Sequence, residues 1–137
     1  RIRREYKLYW KFLSVMLGGM FILIVIKMLF AKEIPYNPIE LITTDISSYP
    51  SGHAFMAMIF YSTIAVLLSR KQRRSKVRRF TFVSALIIIL LVGLSRIFGA
   101  AHNFSEVLAG WSLGLIWVCT CWLIERYIRV NYQDKKR

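Results

Sequence analysis

Cysteine, proline and acidic residues are all scarce in this chain of 137 residues. The two cysteines, Cys119 and Cys121, lie two positions apart in an apolar run, which excludes a scaffold held together by disulfide bonds. Two thiols without clustered histidines also make a poor metal site, so we assign them no chemistry. The three prolines, Pro35, Pro38 and Pro50, all fall in one connecting segment and predict an irregular loop there.

Acidic residues number 7 against 20 Lys and Arg, which gives a formal net charge of +13 at pH 7. Such an excess can mark a nucleic-acid-binding protein, but here apolar blocks separate the basic clusters. The clusters cannot form one stripe along a soluble surface, and we therefore expect no nucleic-acid partner. The chain also lacks an initial Met and a signal-peptide pattern, from which we expect a fragment or a processed product.

Hydrophobic residues make up 56% of the chain and gather into blocks rather than along amphipathic elements. A membrane helix needs about 20 apolar residues at roughly 1.5 Å per residue, and four blocks reach or approach that length. The sequence therefore predicts an all-α integral-membrane helical bundle that forms a single domain over residues 1–137. The four transmembrane spans are expected at about residues 12–30, 53–69, 80–101 and 106–124.

Basic residues are concentrated in alternate connecting segments, and this alternation predicts the orientation. Residues 1–11 hold five basic residues and one acid, and residues 70–79 hold seven basic residues and no acid. The C-terminal tail is also basic, whereas residues 32–50 hold one basic residue and three acids. Because Lys and Arg are enriched on the cytoplasmic side of membranes, we expect both termini to be cytoplasmic. The segments at 31–53 and 97–105 should then face outward.

Polar side chains capable of chemistry gather at the outward ends of the predicted spans, and both histidines of the chain are among them. Ser51, Gly52 and His53 begin the second span. N–H groups in the first turn of a helix, together with the positive end of its dipole, can bind an anion. His53 can give a proton to a departing oxygen, since imidazole titrates near neutral pH. Taken alone, Ser-Gly-His is equally an ordinary helix start with an interfacial histidine.

A second polar segment follows the third span. Arg96 offers a fork that matches phosphate oxygens, although an arginine near the end of a span can also simply extend to the interface. His102 and Glu106 are four positions apart, so a helix that begins near His102 brings both side chains to one face. A carboxylate on one imidazole nitrogen fixes the tautomer and makes the other nitrogen a better nucleophile.

Together these segments resemble the type 2 phosphatidic acid phosphatase (PAP2) superfamily, integral-membrane phosphatases that act on lipid phosphates and pyrophosphates. The family pattern is Lys, six residues, Arg-Pro; then Pro-Ser-Gly-His; then Ser-Arg, five residues, His, three residues, Asp. The second part is complete at residues 50–53, and the third matches from Ser95 through His102. The resemblance covers residues 27–110. The spans resemble the last four helices of a six-span fold, which implies a family member lacking its first two spans.

Two positions depart from the family pattern. In the first part Lys27 is present, but Ile34 stands before Pro35 where the family has Arg. Loss of a guanidinium removes one bidentate phosphate partner, a contact typically worth about 1.5–3 kcal/mol. In the third part Glu106 stands where the family has Asp, which keeps the charge and lengthens the reach by one methylene.

The resemblance implies hydrolysis of a lipid phosphomonoester or pyrophosphate at the outer face of a plasma (inner) membrane, without a metal or other cofactor. His102, held by Glu106, would attack phosphorus and form a phosphohistidine, and His53 would protonate the leaving lipid oxygen. The residues implied to bind the phosphoryl group are Lys27, Ser51, Gly52 and Arg96. The implied substrates are undecaprenyl pyrophosphate, phosphatidylglycerophosphate and phosphatidic acid, with membrane lipids as the surroundings.

Two other functions stay open. Ile34 favours a catalytically impaired relative that binds a lipid phosphate or a partner protein. Charged residues inside membrane spans, such as Lys27 and Arg96, are also typical of a transporter or channel. These two lie toward one face of the membrane rather than at its middle, and transport would move a substrate without removing its phosphate.

Overall fold

The computed structural model describes residues 2–31 and 49–134 of the chain. Ile34 and the neighbouring loop residues therefore lie outside the described residues. The helices are α1 (Ile2–Ala31), α2 (Gly52–Ser69), α3 (Ser75–Phe98) and α4 (Phe104–Asp134). All four are long and apolar enough to cross a membrane. The prediction of an all-α, four-helix integral-membrane bundle is confirmed.

Helix α2 is the central element, and it packs against each of the other three helices. It begins after Ser51, whose backbone is extended and whose hydroxyl oxygen accepts a hydrogen bond from the backbone N–H of Ala54 at 3.5 Å. This contact satisfies one of the N–H groups that the first turn of a helix leaves without a partner. Phe55 and Ile59 are fully buried, and with Leu23 of α1 they form the hydrophobic core.

The crossing of α2 and α4 brings backbone against backbone. A Cβ atom added to Gly110 would lie 2.6 Å from the carbonyl oxygen of Ser51 and 3.1 Å from the backbone nitrogen of Phe55. One added to Gly114 would lie 2.9 Å from the carbonyl oxygen of Phe55. Glycines four positions apart form the small-residue face that lets membrane helices approach closely. The absence of these two side chains therefore sets the distance between α2 and α4.

Two tryptophans of α4 pack into glycine positions on the flanking helices. The ring of Trp111 occupies the space that a side chain at Gly93 of α3 would need. The ring of Trp117 does the same at Gly18 of α1, and its Nε1 donates a hydrogen bond to the carbonyl oxygen of Val15 at 2.9 Å. These contacts hold α1 and α3 against α4, in addition to their packing against α2.

Ion pairs join three elements at one end of the bundle. The Glu125 carboxylate of α4 contacts Lys11 Nζ of α1 at 2.7 Å and Arg70 Nη1, just after α2, at 2.8 Å. Arg129, one turn further along α4, also pairs with Glu125. We call this the basic end of the bundle. The opposite end, where Ser51, Arg96 and His102 lie, is called the site end.

Replacing Gly110 with Ala should destabilise the bundle by about 1–3 kcal/mol, because the new methyl group overpacks the α2–α4 crossing against backbone atoms that cannot move aside. Thermal unfolding in detergent measures the effect. The matched control is Gly52→Ala near the same crossing, where the new Cβ would meet its nearest neighbour at 3.5 Å, an ordinary contact. Equal unfolding temperatures for the two variants would contradict this account of the crossing.

Candidate active site

A backbone hydrogen bond joins the two polar segments that the sequence singles out. The N–H of Ser51, just before α2, donates to the carbonyl oxygen of Glu106 in the first turn of α4 at 3.0 Å. Ser51 has no exposed surface, and its carbonyl oxygen faces Gly110 across the crossing. The beginnings of α2 and α4 are therefore held side by side at the site end.

The turn between α3 and α4 fixes the position of His102. Helix α3 ends at Phe98, although the predicted span extends to residue 101, because the backbone turns sharply at Ala100, whose φ is 53°. The carbonyl oxygen of Arg96 then accepts hydrogen bonds from the N–H groups of Ala101 and His102, at 3.1 and 3.2 Å. His102 is thus attached by backbone contacts to the last turn of α3.

His102 and Glu106 are in direct contact. Nδ1 of His102 lies 2.8 Å from Oε2 of Glu106, and each side chain is only 13% exposed. A carboxylate can only accept at this contact, so Nδ1 is the donor and Nε2 keeps the lone pair of the neutral ring. The contact therefore fixes the tautomer of a neutral ring and leaves its lone pair on Nε2. The contact forms even though α4 begins at Phe104, two positions later than His102.

Asn103 is a site residue that the sequence analysis missed. Its backbone N–H donates to Glu106 Oε2 at 3.3 Å, and its side-chain Nδ2 donates to Oε1 at 3.5 Å. Asn103 immediately precedes α4, so Glu106 is the third helical residue and its carboxylate reaches back as in a capping box. The pattern Asn-x-x-Glu could have revealed this. Glu106 therefore orients His102 and caps α4 with the same carboxylate.

Lys27 reaches the beginning of α2 from α1. A Cβ atom added to Gly52 would lie 3.8 Å from Cε of Lys27 and 3.5 Å from Cδ2 of Leu23. The lysine stem therefore passes alongside Gly52, close to the backbone that precedes the first turn of α2. This arrangement brings a cation to a helix N-terminus, where the dipole is also positive. The two together form a favourable environment for an anion.

The remaining predicted site residues differ in exposure. His53 is exposed in the first turn of α2, whereas Arg96 is partly buried in the last turn of α3. Ser51 is fully buried; its hydroxyl oxygen already accepts one hydrogen bond at the start of α2, and the hydroxyl hydrogen is still able to donate. Among the described residues, no three His, Cys, Asp or Glu side chains group together as possible metal ligands.

The chain matches the PAP2 superfamily over residues 8–129. It is 39% identical to phosphatidylglycerophosphatase B of Bacillus subtilis over 70 residues, and this aligned segment is 50% of this chain and 34% of that protein. It is 32% identical over 100 residues to a PA-phosphatase related-family protein of Dictyostelium discoideum, covering 69% of this chain and 28% of that protein.

The chain spans about a third or less of the length of these two relatives. No solved structure matches it significantly. The family match nevertheless includes all of α2 and α3, most of α1 and α4, and every residue of the site described above. The chain therefore belongs to the PAP2 superfamily.

Proposed function

We propose that this protein is a membrane phosphatase that hydrolyses a lipid phosphomonoester or pyrophosphate through a phosphohistidine at His102. The observation that carries the proposal is the 2.8 Å contact between Nδ1 of His102 and Glu106, which leaves Nε2 as a nucleophile of defined orientation. Membership of the PAP2 superfamily and similarity to a phosphatidylglycerophosphatase support the same chemistry. Phosphatidylglycerophosphate is accordingly the first substrate to test, followed by phosphatidic acid and undecaprenyl pyrophosphate.

The proposed reaction has two displacements at phosphorus. In the first, Nε2 of His102 forms a bond to phosphorus, the bond to the lipid oxygen breaks, and His53 gives that oxygen a proton. In the second, His53 takes a proton from water, whose oxygen attacks phosphorus. The bond to His102 then breaks and inorganic phosphate leaves. This route requires no metal, and it divides one difficult displacement into two easier ones.

The phosphoryl group would lie between the beginning of α2 and the last turn of α3. Lys27 and Arg96 would stabilise charge on its nonbridging oxygens, and the N–H groups near Gly52 and the hydroxyl of Ser51 would donate hydrogen bonds to them. The proximity of Lys27 to Gly52 supports this placement. Following the basic-residue distribution, we propose that this site faces outward and that both termini are cytoplasmic.

His102→Ala should abolish turnover, with a fall of at least about 10³-fold in phosphate release, because the nucleophile is lost. The measurement is inorganic phosphate released from lipid phosphates in detergent micelles with a chelator present. Brief reaction with a ³²P-labelled substrate should also label the wild type at His102 and leave the variant unlabelled. Labelling of the variant, or release that needs a divalent metal, would disprove the proposed route.

Glu106→Gln should lower kcat by about 10²- to 10⁴-fold, because the amide preserves the shape of the side chain but no longer stabilises the charged imidazole. The matched variant is Glu106→Asp, which restores the charge with a shorter reach and should retain more activity than the amide. Phosphate release is measured for both, with circular dichroism as the check that α4 is intact. A Gln variant as active as the Asp variant would mean that the carboxylate only caps α4.

A catalytically impaired lipid-phosphate-binding protein is the second candidate, and Ile34 is the observation that favours it. If the wild type is an active phosphatase that lacks only one phosphate contact, its kcat/KM should be measurable, and Ile34→Arg should raise it by about 10- to 100-fold. Ile34→Lys is the control for charge without bidentate geometry. Turnover that is absent in the wild type and appears with Ile34→Arg would favour the impaired protein.

A further inference from the structure

The basic end of the bundle contains a cavity of about 590 Å³ that none of the proposed chemistry uses. Five cationic side chains and one carboxylate line it, contributed by α1, α4 and the turn after α2. They are Lys11, Arg70, Lys71, Arg126, Arg129 and Glu125. Because the cations so outnumber the single acid, the cavity has a positive potential that favours an anion.

Glu125 balances only part of this charge. Its carboxylate pairs with Lys11, Arg70 and Arg129. Arg126 instead lies over the ring of Trp122, with its Cζ 5.7 Å from the ring centroid, at the wall of the same cavity. The ion pairs therefore hold several cations at fixed positions around the cavity without neutralising it.

A second observation comes from the buried hydroxyl of Thr63. The residue is 8% exposed, and its Oγ1 has no hydrogen-bond partner among the residues that the structure describes. It lines a small cavity of about 60 Å³ directly bordered by Lys11, Arg70 and Glu125. A buried hydroxyl without a partner is costly, so a polar atom that enters this small cavity and bonds to Thr63 would be stabilised.

An apolar groove begins at the same ion pairs. It has a volume of about 680 Å³, lies between α1 and α4, and shares Lys11, Glu125 and Arg129 with the basic cavity. Most of its remaining wall is apolar and includes Val15 and Ile128. Cations at the mouth of an apolar groove match a molecule with an anionic head and a hydrocarbon chain, whereas free phosphate would leave the groove unfilled.

We propose that the basic end binds one anionic phospholipid, with the headgroup phosphate among Arg70, Arg126 and Arg129 and an acyl chain along the groove between α1 and α4. This site is separate from the proposed active site. Glu106 and Glu125 are both on α4, 19 positions and therefore roughly 28 Å apart along the helix. The proposal does not depend on the protein being a phosphatase.

Native mass spectrometry of the detergent-purified protein, titrated with phosphatidylglycerol and with phosphatidylcholine of the same acyl chains, tests this site. The wild type should bind phosphatidylglycerol more tightly. Arg126→Gln should weaken that binding about fivefold, the effect of one basic residue near an anionic lipid. Arg74→Gln makes the same charge change in the exposed connector between α2 and α3, outside the cavity, and should leave binding unchanged.

Two further variants make the result specific. Glu125→Gln removes the internal counter-charge and should strengthen phosphatidylglycerol binding; because it also breaks three ion pairs, its folding is checked by thermal unfolding. Arg126→Gln breaks none of those pairs and tests the site if Glu125→Gln does not fold. Arg96→Gln at the site end should have no effect, since a lipid held there would respond to Arg96 and not to Arg126.

Several results would overturn the proposal. Equal weakening by Arg74→Gln and Arg126→Gln would indicate general attraction to a basic surface. Weakening by Arg96→Gln alone would assign the bound lipid to the proposed active site. Equal binding of phosphatidylglycerol and phosphatidylcholine would exclude recognition of charge, and displacement of the lipid by millimolar inorganic phosphate would identify free phosphate as the ligand.

Discussion

The close backbone crossing of α2 and α4 is the constraint on which the rest of the site depends. With no side chain at Gly110, α4 approaches α2 closely enough for the N–H of Ser51 to reach the carbonyl oxygen of Glu106 at 3.0 Å. An unsatisfied backbone group away from water is costly, so this bond strongly favours one register between the two helices. The Ser-Gly-His segment and the His102–Glu106 pair, more than 40 residues apart in sequence, are thereby brought together.

The carboxylate of Glu106 links the geometry of the proposed site to local folding. One oxygen contacts Nδ1 of His102 and also accepts from the N–H of Asn103, and the other accepts from the Asn103 amide. Glutamate is the residue that a capping box favours at this helical position, which gives the departure from the family's aspartate a physical reason. The extra methylene leaves the contact with His102 in place, because the same carboxylate is already turned back toward the start of α4.

The sequence was sufficient for the features that depend on local composition. The four helices follow from apolar length alone, since a membrane requires it. The His102–Glu106 contact was predicted from a helical spacing of four, but His102 precedes α4, and the contact forms because the Glu106 carboxylate turns back toward the start of that helix. The burial of Ser51 could not be foreseen, because it depends on the α2–α4 crossing at Gly110. The backbone turn at Ala100 was not predicted either. The apolar residues continue through it, and hydropathy carries no information about the backbone angle φ. Ile34 lies outside the described residues, so its part in the site stays a prediction.

The direction of the helices explains why an anion would be bound at the site end. Antiparallel packing brings the N-termini of α2 and α4 there, and the positive ends of both dipoles act on the same region. The C-termini of α1 and α3 meet them, and their negative ends would repel an anion if left uncompensated. Lys27 lies one turn from the end of α1 and Arg96 lies in the last turn of α3, so each cation offsets the dipole of its own helix. Helix direction and these two cations therefore keep the described part of the site end positive.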